Sequence, residues 1–96
     1  MAGYIIGQLK DITDAEAFSA YQAGAGPALA KYGGKVLVNS TKIDSGDGDW
    51  SPVGMVVVEF ESLEQAKKFY HSPEYQGVIG QRFSSADSAV IFADGD

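Results

Sequence analysis

The segment Phe60–Asp87 constrains the fold of this chain more than any other part of the sequence. Ser62, followed three residues later by Gln65, has the pattern of a capping box and predicts the start of a helix. Pro73 ends that helix, because the residue before a proline avoids helical backbone angles. A short helix is expected over residues 74–83, and the β-branched run after it predicts a final strand. The segment therefore leads from one strand to another through two successive helices.

The first part of the chain repeats this alternation of strand and helix. Residues 4–9 predict a strand, and Thr13 with Glu16 forms a second capping box, with Thr13 as the N-cap of the following helix. Apolar residues recur every three or four positions as far as Tyr32, which is the spacing of an amphipathic helix. The segment Gly24–Pro27 interrupts this spacing, and its proline lacks a hydrogen-bond donor and crowds the preceding helical turn. We expect a kink or a break of the helix there.

Three further strands are expected, at residues 35–44, 55–60 and 88–93. The order of elements is then β-α-β-β-α-β, the ferredoxin-like or split βαβ arrangement of the α+β class. It consists of a four-stranded antiparallel sheet with both main helices on one face. Ninety-six residues suffice for one such domain, which we expect to span residues 1–96.

The predicted strands are apolar on both faces, which bears on the oligomeric state. Adjacent bulky apolar residues occur at Ile5–Ile6, at Val56–Val58 and at Val90–Phe92. An antiparallel sheet with one face in water would instead alternate apolar and polar residues. Because the helices can cover only one face, a second molecule is the economical cover for the other. We predict a homodimer in which two sheets face each other as a dimeric α/β barrel.

The charge balance argues against nucleic acid and membrane surfaces as partners. Seven Lys and Arg residues stand against thirteen Asp and Glu residues, for a net charge of −6. Nucleic acids and anionic membranes both require a basic face. No apolar run reaches the roughly 18 residues of a membrane span, and the N-terminus lacks a signal-peptide pattern. Because the chain also lacks cysteine, which fits a reducing compartment, we expect a cytoplasmic location.

Several short motifs give the whole chain a resemblance to a known family. They are Tyr4-Ile5-Ile6-Gly7, Tyr32-Gly33-Gly34-Lys35, Asp49-Trp50, Val58-Glu59-Phe60, Phe69-Tyr70, Ser72-Pro73-Glu74-Tyr75, Arg82 and Ala86-Asp87. With them the chain resembles the domain-of-unknown-function 1330 family, within the dimeric α/β-barrel superfamily. The resemblance implies two ferredoxin-like protomers whose sheets face each other. It implies no reaction, because the superfamily holds cofactor-free oxygenases, haem-handling enzymes, small-lactone isomerases and ligand-binding regulatory domains.

Arg82 is the first candidate for ligand binding. It is the only arginine, and its planar guanidinium suits a carboxylate or a phosphate. The alternative is a structural ion pair that locks the last helix to the sheet. The acidic residues considered for that pair are Glu74, Asp87 and Glu59.

Three other residues are further candidates for ligand binding. Tyr75 can donate its hydroxyl to a ligand or serve as a half-buried packing residue. Ser72 can contact a ligand or act as the N-cap of the short helix, where Ser before Pro-Glu is favoured. Trp50 can close over a pocket or pack at an interface, where tryptophan is enriched.

The candidates for proton transfer are His71, Tyr75 and Tyr32. His71 is the only histidine, and the alternative is a solvated side chain in the last turn of its helix, where a cation suits the helix dipole. No nucleophile–base pair can be identified from residue spacing. One histidine and no cysteine also give little material for a metal or haem site, so we expect neither a metal nor a cofactor.

Three functions are compatible with these residues. The first is a cofactor-independent enzyme that acts on a small acidic or aromatic metabolite in a pocket between the sheet and the helices. The second is a non-catalytic ligand-binding or regulatory dimer that uses the same pocket. The third is a dimer whose apolar interior is only a core. An enclosed cavity with convergent polar groups would favour the first two, and a filled interior would favour the third.

Overall fold

A computed structural model describes all residues from Met1 to Asp96. The strands are β1 (Gly3–Ile12), β2 (Lys35–Ser40), β3 (Gly54–Phe60) and β4 (Ala86–Asp94). The helices are α1 (Ala15–Lys31), α2 (Leu63–Tyr70) and α3 (Pro73–Ser85). This order confirms the predicted ferredoxin-like fold, although β2 is shorter and β4 longer than expected. None of the three helices is long and apolar enough to cross a membrane.

The four strands form one antiparallel sheet in the order β2-β3-β1-β4. β1 lies in the centre, where Ile5 pairs with Val58 of β3 on one side and with Phe92 of β4 on the other. These three residues point towards the helices, because side chains alternate between the two faces of a strand. Their neighbours Ile6 and Ile91 lie on the opposite face, which no helix covers.

The N-cap of α1 is Asp14, so the prediction of Thr13 is wrong. The Asp14 carboxylate accepts a hydrogen bond from the amide of Ala17 at 3.1 Å. Thr13 instead donates its own amide to the carbonyl of Ser85, at 2.8 Å, and thereby joins the start of α1 to the end of α3. An acidic N-cap also favours the positive end of the helix dipole. The amide of Asp14 donates to the same Ser85 carbonyl at 3.1 Å, so both residues are tied to α3 and the Asp14 carboxylate alone provides the cap.

Helix α1 continues through Pro27 to Lys31, so the predicted break is wrong. The helix buries Ala25 and Ala28 in the core and packs along α3. Packing of this kind supplies most of the stability of helices in proteins and outweighs a weak local propensity. The closest contact is at Gly24, where an added Cβ would lie 2.7 Å from Cγ1 of Val78. The glycine therefore allows α1 and α3 to approach each other.

The junction between α2 and α3 follows the sequence prediction closely. Ser62 caps α2 by accepting from the amide of Gln65 at 3.0 Å, and Ser72 caps α3 by accepting from the amide of Tyr75 at 3.2 Å. The hydroxyl of Ser72 also donates to the carbonyl of Phe69 at 2.6 Å, so one side chain closes α2 and opens α3. The prediction of a short final helix is wrong, because α3 is longer than α2 and continues to Ser85.

The core lies mainly between α2, α3 and the inner face of the sheet. Phe60 and Phe69 stack with their ring centroids 5.4 Å apart, and Ala66 between the helix and the sheet is completely buried. Tyr75 packs on Phe69 at 4.8 Å. Aromatic contacts at these distances stabilise beyond the area they bury. The part of the sheet below α1 is not filled in this way.

The outer face of the sheet remains uncovered in the single chain. Ile91 is 59% exposed and Trp50 is 58% exposed on this side. Val38 of the edge strand β2 is exposed as well. Apolar surface of this kind marks an interaction site on soluble proteins.

The two glycines of α1 predict opposite effects of the same substitution. Gly26→Ala should raise the free energy of unfolding by about 1 kcal/mol, because alanine favours a helix and no atom lies within 4 Å of the new Cβ. Gly24→Ala should lower it by about 1 kcal/mol, because overpacking against the stiff side chain of Val78 outweighs that gain. Denaturant unfolding of both variants measures the difference. Equal stabilisation of the two would contradict a tight contact between α1 and α3.

Candidate ligand-binding site

A cavity of about 390 Å³ lies between α1 and the inner face of the sheet. Its roof consists of residues on one face of α1, namely Phe18, Tyr21, Ala25 and Leu29. Its floor is apolar and includes Ile5, Leu9, Val56, Val58 and Val90. The end wall comes from α2 and α3 and contains Phe69, Tyr70, Tyr75 and Arg82. A volume of this size is within the range of small-molecule sites.

Small residues in the floor and the roof leave space for this cavity. Gly7 follows Ile5 and precedes Leu9 on the inner face of β1, and an added Cβ would lie 3.0 Å from Cγ1 of Val56. Gly26 lines the roof, where an added Cβ would meet no atom within 4 Å. The cavity therefore results from missing side chains as well as from the separation between α1 and the sheet.

Arg82 lies in the last turn of α3 and is only 6% exposed. Its Nη1 donates to the hydroxyl of Tyr75 at 2.9 Å, and its Nε is buried without a hydrogen-bond partner. The ring of Phe83 lies 5.0 Å from the guanidinium carbon. The only ion pair in the chain joins Lys31 and Glu74, so none of the acids considered as partners neutralises Arg82. A buried charge without a counter-ion is costly, which makes this residue unusual.

The guanidinium keeps its charge despite this burial. Burial by itself lowers the pKa of Arg82, but the neighbouring side chains of Tyr75, Tyr21 and Tyr70 together raise it further than burial lowers it. The pKa therefore lies above the ordinary arginine value, and the residue is cationic at every physiological pH. No Lys, His, Asp or Glu lines the cavity, so Arg82 supplies its only formal charge.

Tyr75 connects Arg82 to the roof of the cavity. It is 3% exposed, and its hydroxyl lies 2.8 Å from that of Tyr21 on α1. Burial raises the pKa of Tyr75 well above its ordinary value, and the adjacent Tyr21 raises it further. The phenol therefore stays protonated near neutral pH. In this state it can donate and accept hydrogen bonds, but it cannot act as a base.

Comparison with known proteins identifies the family. The family described as "Domain of unknown function (DUF1330)" matches residues 2–96. The chain belongs to the DUF1330 family. No match was found among curated protein sequences.

Solved structures share the fold of this DUF1330 domain at low sequence identity. A protein of unknown function from Rhodopseudomonas palustris is 20% identical with a TM-score of 0.74, over 99% of this chain and 82% of that one. An ethyl tert-butyl ether d (ethd) family protein from Bacillus halodurans is 16% identical with a TM-score of 0.68, over 100% of both chains. A dimeric ferredoxin-like protein of unknown function from Jannaschia sp. CCS1 is 11% identical with a TM-score of 0.70, over 98% and 99% of the two chains. These similarities establish the fold and leave the activity open.

Of the six residues singled out from the sequence, Arg82 and Tyr75 line the cavity together. Ser72 does not line it, because its hydroxyl is occupied by the capping contacts to Phe69 and Tyr75. Its contribution to the site of the DUF1330 domain is indirect, since the cap fixes the first turn of α3, on which Tyr75 lies.

His71, Tyr32 and Trp50 lie outside the cavity. His71 is the exposed C-cap of α2. Tyr32 donates its hydroxyl to Glu74 at 3.0 Å, and the pKa of that carboxyl is lowered to about 2, mainly by the hydrogen bond from Lys31. Trp50 donates its indole N–H to Gln8 at 2.5 Å and borders a shallow depression on the outer face of the sheet.

Tyr21 is the member of the hydrogen-bonded wall of the cavity that the sequence did not identify as a site residue. Its position in the apolar stripe of α1 indicated a core residue, and its ring does pack against Phe18 at 5.5 Å. The available signal was a hydroxyl within an otherwise apolar stripe. That signal becomes informative only when α3 brings Tyr75 and Arg82 to the same place.

The missing counter-ion predicts that Arg82 contributes little to stability. Arg82→Met keeps an apolar stem of similar length, and no carboxylate is left unpaired by the substitution. The free energy of unfolding should therefore rise, or fall by less than about 1 kcal/mol, as when buried ions are replaced by apolar residues. Chemical denaturation measures this. A loss of roughly 3–5 kcal/mol, typical of a broken buried ion pair, would show that Arg82 is a structural ion.

Proposed function

We propose that this DUF1330 domain binds a small acidic molecule in the cavity between α1 and the sheet. The observation that carries the proposal is the buried guanidinium of Arg82, which has no acidic partner and has an unpaired Nε. A cation buried in a mainly apolar cavity is stabilised by an anion, because electrostatic attraction increases as the surroundings become less polar. A carboxylate fits the planar donors of arginine best.

The dimensions of the cavity indicate the size of the ligand. At about 30 Å³ for each atom, as in liquid water, the cavity of about 390 Å³ holds roughly a dozen non-hydrogen atoms. The floor is mainly aliphatic, and rings from Phe18, Phe69 and Tyr70 line the walls. Uncharged polar residues also border the cavity, at Gln8, Gln22, Asn39, Ser40, Thr41 and Ser88. The body of the ligand is accordingly apolar, either aromatic or aliphatic, with the acidic group at the end that faces Arg82.

The residues of the cavity favour binding over proton abstraction. It contains no histidine and no carboxylate, and the pKa of Tyr75 is raised far above neutrality.

A cofactor-independent reaction is the second candidate, supported by a specific observation. Arg82 has a preorganised donor, its unpaired Nε, that can stabilise negative charge developing on a ligand oxygen.

We also propose that two copies of the chain pair through the outer faces of their sheets. On this face Ile6, Met55, Ala89, Ile91 and Trp50 surround a shallow depression of about 130 Å³. The Jannaschia protein with the same fold is described as dimeric. Apolar surface on a sheet face is the kind of area that stable homodimers bury. The cavity faces the opposite side of the sheet, so each protomer retains its own site.

Isothermal titration with simple carboxylates tests the proposed ligand class. Phenylbutyrate, decanoate and naphthoate each have about a dozen non-hydrogen atoms. At least one should bind with a Kd below about 1 mM, and Arg82→Met should weaken this binding by about tenfold or more, since the lost hydrogen bonds are charge-assisted. Lys68→Met removes an exposed charge elsewhere and should have no effect. Absence of binding by all three acids would reject the proposal.

Sedimentation of two matched variants tests the dimer. The wild-type chain should sediment as a dimer at micromolar concentration, and Ile91→Glu should convert it to a monomer by placing a charge in the apolar contact. Phe83→Glu is the control, because Phe83 is 61% exposed, close to the 59% of Ile91, but lies on α3. A wild-type monomer, or equal effects of the two substitutions, would contradict pairing through the sheets.

A further inference from the structure

Three side chains form a continuous line of hydrogen bonds along the wall of the cavity. Arg82 Nη1 donates to the hydroxyl oxygen of Tyr75 at 2.9 Å, and that hydroxyl lies 2.8 Å from the hydroxyl of Tyr21. All three residues line the cavity, and they come from two different helices. Tyr21 is therefore the last residue of a hydrogen-bonded chain that begins at Arg82, the only formal charge of the cavity.

The direction of donation along these hydrogen bonds follows from the donors available. Because a guanidinium has no acceptor, Arg82 must be the donor to Tyr75. The hydrogen of the buried Tyr75 hydroxyl then needs an acceptor, and the oxygen of Tyr21 is the only one within hydrogen-bonding distance. The opposite direction between the two tyrosines would leave a buried hydroxyl hydrogen without a partner. In the direction that pairs the Tyr75 hydrogen within the protein, Tyr21 accepts from Tyr75, and the hydrogen of Tyr21 is free for a ligand.

We propose that Tyr21 is the hydroxyl that contacts the ligand, and that the chain Arg82–Tyr75–Tyr21 selects ligands whose polar end only accepts hydrogen bonds. This inference rests on the proposed function and specifies the ligand class as a carboxylate or another oxyanion. Each donor in the chain polarises the next, so the free hydrogen of Tyr21 is a stronger donor than an isolated phenol. An ammonium group would meet both this hydrogen and the charge of Arg82, and it is excluded.

The environment of Tyr21 fits contact with a ligand. The residue is half-buried and lines the cavity, and its hydroxyl has no hydrogen bond other than that with Tyr75. Its ring is held by packing against Phe18 and by an edge contact with Tyr75 at a centroid distance of 6.2 Å. Tyr21→Phe therefore preserves the packing of the ring and removes only the end of the chain.

Titration of phenylbutyrate and the neutral phenylbutyramide into single and double variants tests this inference. The wild-type protein should prefer phenylbutyrate. Tyr21→Phe should lower its affinity by about tenfold to a hundredfold, the range for a hydrogen bond to a charged group, and should affect phenylbutyramide less. Tyr75 and Tyr21 belong to the same hydrogen-bonded chain. The double variant Tyr75→Phe, Tyr21→Phe should therefore lose less affinity than the product of the losses in the two single variants.

The matched control is Tyr32→Phe, which removes a hydroxyl bound to Glu74 outside the cavity and should leave binding unchanged. Thermal melting of each variant establishes that it is folded.

If the wild type binds phenylbutyrate and Tyr21→Phe binds it equally well, the inference is wrong and the proposed function stands. Additive losses in the double variant, or equal binding of phenylbutylamine and phenylbutyrate, would also overturn it. If the wild type binds no phenylbutyrate, the inference is overturned, and failure of the other two acids as well would reject the proposed function.

Discussion

The packing of α1 against α3 is the contact on which the rest of the structure depends. Gly24 lets α1 approach Val78 closely, and the amide of Thr13 ties the start of α1 to the carbonyl of Ser85 at the end of α3. With α1 held by α3, Gly7 in the floor and the small roof residue Ala25 leave space above the sheet. A helix that was free to settle on the sheet would close this space, because interiors pack as densely as organic crystals. The cavity is thus a consequence of helix packing.

The same contact explains how the fold tolerates a buried cation. Arg82 and Tyr75 lie on α3 and Tyr21 lies on α1, so the helix pair brings one charge and two hydroxyls to a single wall. The Tyr75 hydroxyl satisfies part of the hydrogen-bonding capacity of the guanidinium but supplies no counter-charge. A charge that is expensive to bury is characteristic of positions where local rules of folding are broken, as at functional sites.

Much of the fold follows from local signals in the sequence. Ser62 and Ser72 were identified as helix caps from the sequence, because the residue types that cap helices and the proline after Ser72 act within one turn. The alternation and branching of residues in β1, β3 and β4 predicted the strands and the apolar outer face. The helix break at Pro27 was wrong, because tertiary packing of α1 outweighed the local preference, and the cap at Thr13 was wrong, because the adjacent Asp14 carboxylate accepts from Ala17 instead.

By itself, the sequence determined the order of elements, the fold class, and the presence of one arginine and a Ser-Pro-Glu-Tyr junction that deserved consideration as a site. Only the tertiary structure decided which side chains meet. It brought Tyr21 to Tyr75 across 54 positions of the chain and left His71, Tyr32 and Trp50 elsewhere. The physical reason is the range of the interactions. Capping and strand propensity act between near neighbours in the chain, whereas the cavity and its hydrogen-bonded wall depend on how two distant helices pack.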